Sequence, residues 1–180
     1  MTIDWPFIDT LEGDELTGYV PDPNGSKSGV TIACGVDLSA ETLTSIAGLP
    51  SELQQQLTPY LGLTGQDAVA ALQAQPLTIT QADADTLNAY VDAAAITRLT
   101  SQYDGASTVT FDALPDQAQT VIASVAFQYG NLGVRCPKFW GRAIVQDWPG
   151  CVAELRNFGD AYPSRRNKEA DYLAAIIPTG

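Results

Sequence analysis

The chain of 180 residues carries 21 acidic and 9 basic side chains, a formal charge of −12 at pH 7, and 45% hydrophobic residues. That length and apolar content suit a single compact domain with a real core. The acidic excess argues against non-specific nucleic-acid binding, which depends on a basic footprint.

The chain contains no histidine. This excludes a Ser-His or Cys-His relay and the usual zinc sites, and no metal or other cofactor is implied. Acid–base chemistry must then run on carboxylates, tyrosines, lysines or positioned water. Cys34, Cys136 and Cys151 are odd in number and lack CxxC spacing, which speaks against a disulfide framework. No run approaches the ~20 apolar residues of a membrane helix. Met1-Thr2-Ile3-Asp4-Trp5 lacks the basic and then apolar pattern of a signal peptide, so cytosolic synthesis without membrane insertion is expected.

Asp4 is placed to cap a short first helix, Pro6 fits its first turn, and Ile8 and Leu11 share a face. Gly13 is a natural residue just past its end, which puts Glu12 where the helix stops. There the negative end of the helix dipole and the like charges of Asp14 and Glu15 disfavour the anion, as suits a general acid.

Leu16 to Val20 and Val30 to Val36 read as strands, separated by a loop that begins Asp22-Pro23-Asn24-Gly25. Period-two alternation puts Val30, Ile32, Cys34 and Val36 on an apolar face. Thr31, Ala33, Gly35 and Asp37 fall on the other, a small polar floor over which a sugar can lie.

Ser39 to Thr64 reads as helical pieces broken at Gly48-Leu49-Pro50, Pro59 and Gly62. Thr64 caps a further helix with Ala68, Ala71 and Leu72 inward, ending near Gln75-Pro76. Thr80 then caps a long helix from about Gln81 to about Ser101, with Leu87, Tyr90, Val91 and Ala94 at helical spacing. Tyr103 to Phe111 reads as a connector turning at Asp104-Gly105.

Beyond Pro115, Ala118, Val121, Ile122, Val125, Ala126 and Tyr129 mark the most apolar helix, terminated at Gly130-Asn131. Gln128 near its end is either a cleft residue or a buried amide satisfied by backbone. Phe139 to Asp147, Cys151 to Phe158 and Asn167 to Ile177 complete the helical part. Charge is uneven: residues 1–100 hold 13 acidic side chains against Lys27 and Arg98, whereas residues 101–180 hold 8 acidic and 7 basic. The basic stretch from Arg135 to Lys168 is a candidate contact for carboxylates of a ligand.

Glu12-Gly13, Gly18-Tyr19-Val20-Pro21, Ser28-Gly29-Val30-Thr31-Ile32 and Gly35-Val36-Asp37-Leu38 together resemble the catalytic hairpin of the phage-type lysozymes, closest to the pesticin-like branch. Ile79-Thr80-Gln81-Ala82-Asp83-Ala84 running on to Tyr90-Val91-Asp92-Ala93-Ala94 resembles the family's interlobe helix. Ala126-Phe127-Gln128-Tyr129-Gly130-Asn131 resembles its central helix end, and Tyr162-Pro163-Ser164-Arg165-Arg166 a late proline–arginine turn.

The resemblance implies an α+β, mainly helical, two-lobed lysozyme-like fold. In it a hairpin lobe of about 12–80 and a helical lobe of about 102–180, with the N-terminal helix, are joined by a long helix of about 81–101. It implies hydrolysis of the β-1,4 bond between N-acetylmuramic acid and N-acetylglucosamine, with Glu12 as general acid and Thr31 and Asp37 as its catalytic partners. Tyr19, Gln128 and Arg165 are the implied substrate contacts.

Many members carry the second acid nine residues after the glutamate. Here that position is Pro21, with Asp22 beside it as an alternative, although Asp37, six residues beyond Thr31, fits the pesticin-like pattern better. An extended strand would separate Thr31 from Asp37 by ~20 Å at ~3.3 Å per residue, so one site for both requires a bend near Gly35.

The implied partners are peptidoglycan glycan strands and, for an injected toxin, an immunity or inhibitor protein. The chain itself is expected to be a monomer acting on the periplasmic wall after release or delivery. Phage endolysin, delivered antibacterial effector and a catalytically inactive wall- or inhibitor-binding module are the roles in view.

Overall fold

The computed structural model describes residues 2–13, 15–24 and 28–178. Asp14 and Gly25, which figured in the reading of the first helix end and the hairpin loop, lie outside the described residues.

By its internal contacts the chain divides into two compact units, Glu12–Asp92 and Met1–Leu11 with Ala93–Gly180. The division falls inside the longest helix.

In the Glu12–Asp92 unit, β1 (Glu15–Tyr19), β2 (Thr31–Ala33) and β3 (Val36–Asp37) form an antiparallel sheet in that order. The continuous strand expected over Val30 to Val36 is two strands. Cys34 and Gly35 turn between them, with Ala33 at φ 53° and Gly35 at φ 90°. Glycine adopts that left-handed backbone without a Cβ penalty, which is why the chain reverses there. Cys34 therefore sits in the turn, its N–H donating to Asn88 Oδ1 at 3.2 Å, rather than on the apolar face.

Thr31 and Ala33, expected on an open floor, are buried at 5% and 1% exposure. β2 is the central strand, with neighbours on both edges. Helices α2 (Ser51–Leu57) and α3 (Gly65–Ala74) follow, separated by a 3-10 turn at Thr58–Tyr60. Val30, Ile32, Leu38, Leu53, Leu57 and Tyr60 make a core that excludes water at every one of these positions. The segment after α3 runs beside β1, with Gly18 N–H donating to Leu77 O and Ile79 N–H to Leu16 O.

The long helix α4 spans Gln81–Ala106, five residues beyond the expected stop. Its start is set by reciprocal bonds between Thr80 and Asp83: Asp83 N–H donates to Thr80 Oγ1 at 3.1 Å, and Thr80 N–H to Asp83 Oδ2 at 3.2 Å. Asp104-Gly105 fails to break it because tertiary contacts outweigh a glycine's cost of ~1 kcal/mol. Tyr103 is fully buried and donates its hydroxyl to Ala143 O, while Asp104 Oδ1 accepts from Phe111 N–H.

In the other unit α1 (Trp5–Asp9) is capped by Asp4, whose Oδ1 accepts from Phe7 N–H at 3.0 Å. The helix ends at Asp9, earlier than expected. Thr10 returns its hydroxyl to Phe7 O, and Leu11 N–H tightens the last turn onto Ile8 O. Glu12 therefore lies in a bend beyond the helix rather than on its last turn.

The apolar helix α5 (Asp116–Tyr129) ends at Gly130 with φ 70°, and Asn131 caps α6 (Leu132–Arg135). Then come α7 (Pro137–Ala143), α8 (Trp148–Arg156) and α9 (Pro163–Ala174). Both α8 and α9 begin earlier than their apolar periodicity indicated. Pro149 and Pro163 occupy first-turn positions, where their missing N–H costs nothing. The stretch Tyr162 to Arg166 is accordingly a helix start, not a turn. Cys136 and Cys151 are buried and free. Among the described residues no helix is long and apolar enough to cross a membrane.

Candidate active site

The bend at Cys34–Gly35 folds β3 back on β2 so that Thr31 stands directly opposite Asp37, and Ile32 opposite Val36. Directly opposed residues of an antiparallel pair point to the same side, with Cβ atoms about 5 Å apart. On the other edge of β2, Thr31 is opposite Tyr19. Tyr19, Thr31 and Asp37 therefore form one row across three strands. An aromatic ring at 41% exposure lies at one end, a nearly buried hydroxyl in the middle and a half-buried carboxylate at the other end.

Asp37 does not swing freely in this row. Its Oδ1 accepts from Gly29 N–H at 3.1 Å and from Ser39 N–H at 2.9 Å, the second bond capping the 3-10 turn Leu38–Ala40. Two donors on one oxygen fix the plane of the carboxyl group. Sequence reading missed both donors, because a backbone N–H leaves no signature in residue type. The Asp37-x-Ser39 spacing before a short helical turn was the available hint.

Asp22 occupies a different environment. It is exposed in the turn after β1, where its Oδ1 accepts from Asn24 N–H at 3.3 Å, a local Asx turn. The sheet register does not bring it into the row with Thr31. Glu12 is half-buried in the bend that leads into β1.

Gln128 and Arg165 belong to a second polar cluster, inside the Ala93–Gly180 unit. Arg166, at 1% exposure, donates Nε to Asp160 Oδ2 at 2.8 Å, Nη1 to Glu169 and Nη2 to Gln128 Oε1. Its guanidinium also lies over the rings of Phe158 and Tyr129. Arg165 donates Nε to Glu169 Oε1 at 3.2 Å and Nη2 to Ser124, while Ser124 Oγ donates to the same Glu169 Oε1 at 2.6 Å. The Gln128 amide is thus engaged by an arginine, not by backbone.

The basic stretch is largely matched internally. Arg142 pairs with Asp147, Arg156 with Asp171, Arg165 with Glu169, and Arg166 with Asp160 and Glu169.

Asp160 titrates with this cluster. Burial pushes its carboxyl up, but the Tyr129 hydroxyl, the Arg166 guanidinium and the Tyr162 N–H outweigh that and hold it below the usual carboxylate range. A carboxylate depressed in the folded state adds stability above its unfolded value of about 3.9, and that stability is lost as pH falls through the folded value. Melting temperature is therefore expected to fall below about pH 4, and Asp160→Asn to flatten that acid limb. Thermal melts of both proteins between pH 2 and pH 7 on the order of one-unit steps check this.

The mainly helical α+β architecture with its small three-stranded antiparallel sheet is that of a lysozyme-like fold. The family described as Pesticin, a bacterial toxin homologue of phage lysozyme (C-terminal part), matches residues 2–149, and the chain belongs to it. The matched stretch contains Glu12, Tyr19, Asp22, Thr31, Asp37 and Gln128; Arg165 lies beyond it. No curated protein matches the chain.

Proposed function

We propose that the protein is a peptidoglycan muramidase that cleaves the β-1,4 bond between N-acetylmuramic acid and N-acetylglucosamine. Glu12 protonates the departing glycosidic oxygen. The Thr31 hydroxyl holds a water on the opposite face of the sugar ring, and Asp37 draws a proton from that water as it attacks the oxocarbenium-like carbon. Displacement from that face inverts the anomeric centre, a route that uses carboxyl groups ~6.5–9.5 Å apart. The observation that carries the reading is the cross-strand pairing of Thr31 with Asp37 in a carboxylate orientation held by two backbone donors. Tyr19, next in the same row, offers a ring on which a sugar face can stack.

Membership in a family of bacterial toxins supports a delivered antibacterial effector acting on the periplasmic wall, with an immunity or inhibitor protein as its counterpart, ahead of a phage endolysin. A second reading has its own observation. The bonds from Gly29 and Ser39 to Asp37 also suit a purely structural loop clamp in an inactive wall-binding module.

Turbidity loss of purified peptidoglycan, followed with release of reducing ends, separates the two readings. The wild-type chain is expected to clear the suspension. Glu12→Gln, which keeps shape and loses the transferable proton, is expected to be slower by about 10²–10⁴-fold. Binding without clearance by the wild type selects the inactive module.

A further inference from the structure

We propose that Gly29 is a positioning residue for Asp37, required because only a residue without a side chain can bring its N–H to Oδ1. This inference rests on the muramidase reading above. The Gly29 N–H reaches Asp37 Oδ1 at 3.1 Å from a backbone position with no room for a methyl group. A Cβ placed there would lie 2.6 Å from the Ser39 Cβ and closer still to the Leu63 carbonyl oxygen.

The surrounding backbone cannot easily give way. Ser28 O accepts from Gly65 N–H at 3.1 Å, Val30 O from Leu38 N–H at 2.9 Å, and Leu38 O from Gly62 N–H at 3.0 Å. Val30 is thereby tied to Leu38, the neighbour of the second donor Ser39, and Ser28 to Gly65 at the start of α3. An added methyl must push the Gly29 segment away by about 1 Å to restore ordinary carbon–carbon contact. That movement withdraws a donor from the carboxylate opposite Thr31. A displacement of about 1 Å at a reacting group costs on the order of 100-fold in rate, while substrate contacts elsewhere are untouched.

The test measures kcat and KM for reducing-end release from purified peptidoglycan. Gly29→Ala is expected to lower kcat about 100-fold with KM within about twofold. Leu57→Ala, a cavity in the core of the same unit that leaves both N–H donors to Asp37 in the chain, serves as the control for lost stability and is expected to keep its kcat. In an Asp37→Asn background, adding Gly29→Ala is expected to cost nothing more, because the group it positions has already been changed.

If Gly29→Ala does not accumulate as folded protein, Ser39→Pro takes its place. It removes the other N–H, inside the 3-10 turn Leu38–Ala40, and the same loss of kcat is expected. The proposal is overturned if the folded variant keeps wild-type kcat, loses no more than Leu57→Ala, or multiplies the loss of Asp37→Asn. A fully active Asp37→Asn, or a wild type inert on peptidoglycan, overturns the muramidase reading and this proposal together. Active clamp variants beside a dead Asp37→Asn overturn the positioning role alone.

Discussion

Asp37→Asn is expected to abolish wall lysis, by about 10²–10⁴-fold, while Asp22→Asn stays near wild type. The asymmetry follows from what asparagine can and cannot replace. At position 37 the amide keeps an oxygen acceptor for Gly29 N–H and Ser39 N–H, and asparagine caps helical turns about as well as aspartate. The local fold is therefore preserved while the base is lost, and a drop in rate without a drop in melting temperature points to chemistry. At position 22 the side chain serves an exposed Asx turn, which asparagine forms equally well. Reducing-end release and thermal melts of both variants decide the matter. Loss of lysis in Asp22→Asn with retention in Asp37→Asn would reverse the assignment.

The second large effect concerns stability. Arg166→Ala is expected to destabilise the protein by about 3 kcal/mol, because it takes one of two arginine partners from the fully buried Glu169 and the cation from Asp160. For a chain of this length that lowers the melting temperature by roughly 10 °C. Gln128 and Asp160 lose a donor in the same substitution, and the rings of Phe158 and Tyr129 lose the cation above them. Arg166→Lys is expected to recover little. A single ammonium cannot reach Asp160, Glu169 and Gln128 from one place as the planar guanidinium does. A thermal melt within a degree or two of the wild type for either variant would mean that the cluster contributes nothing net.

Much of the secondary structure was legible in local signals. Asp4 and Pro6 announced the first helix, Thr80 the long one and Gly130 the end of the apolar one. The structure bears out all three. Where the reading failed, a distant contact overrode a local preference. Asp104-Gly105 reads as a turn, but Tyr103 and Asp104 are tied to Ala143 and Phe111, and the helix continues. Val30 to Val36 reads as one alternating strand, and period-two patterning cannot reveal that Gly35 reverses it. The basic run looked available to a ligand, yet Arg165 and Arg166 are engaged by Glu169 and Asp160 inside the fold, while Arg142 and Arg156 pair with Asp147 and Asp171 at the surface.

The sequence by itself determined the chemistry open to this protein. Without histidine, acid–base chemistry was left to carboxylates, tyrosines, lysines or positioned water, because residue type sets which protons can move near neutral pH, and glutamate, threonine and aspartate stand in an order that resembles a lysozyme hairpin. Only the tertiary structure decided which of those groups stand together. Thr31 and Asp37 are six residues apart in the chain but face each other across the sheet, because a glycine turn and interstrand hydrogen bonds set the register. The same structure turned Arg165, Arg166 and Gln128 inward to Glu169 and Asp160, where burial makes an unpaired charge too costly to leave exposed to hydrocarbon.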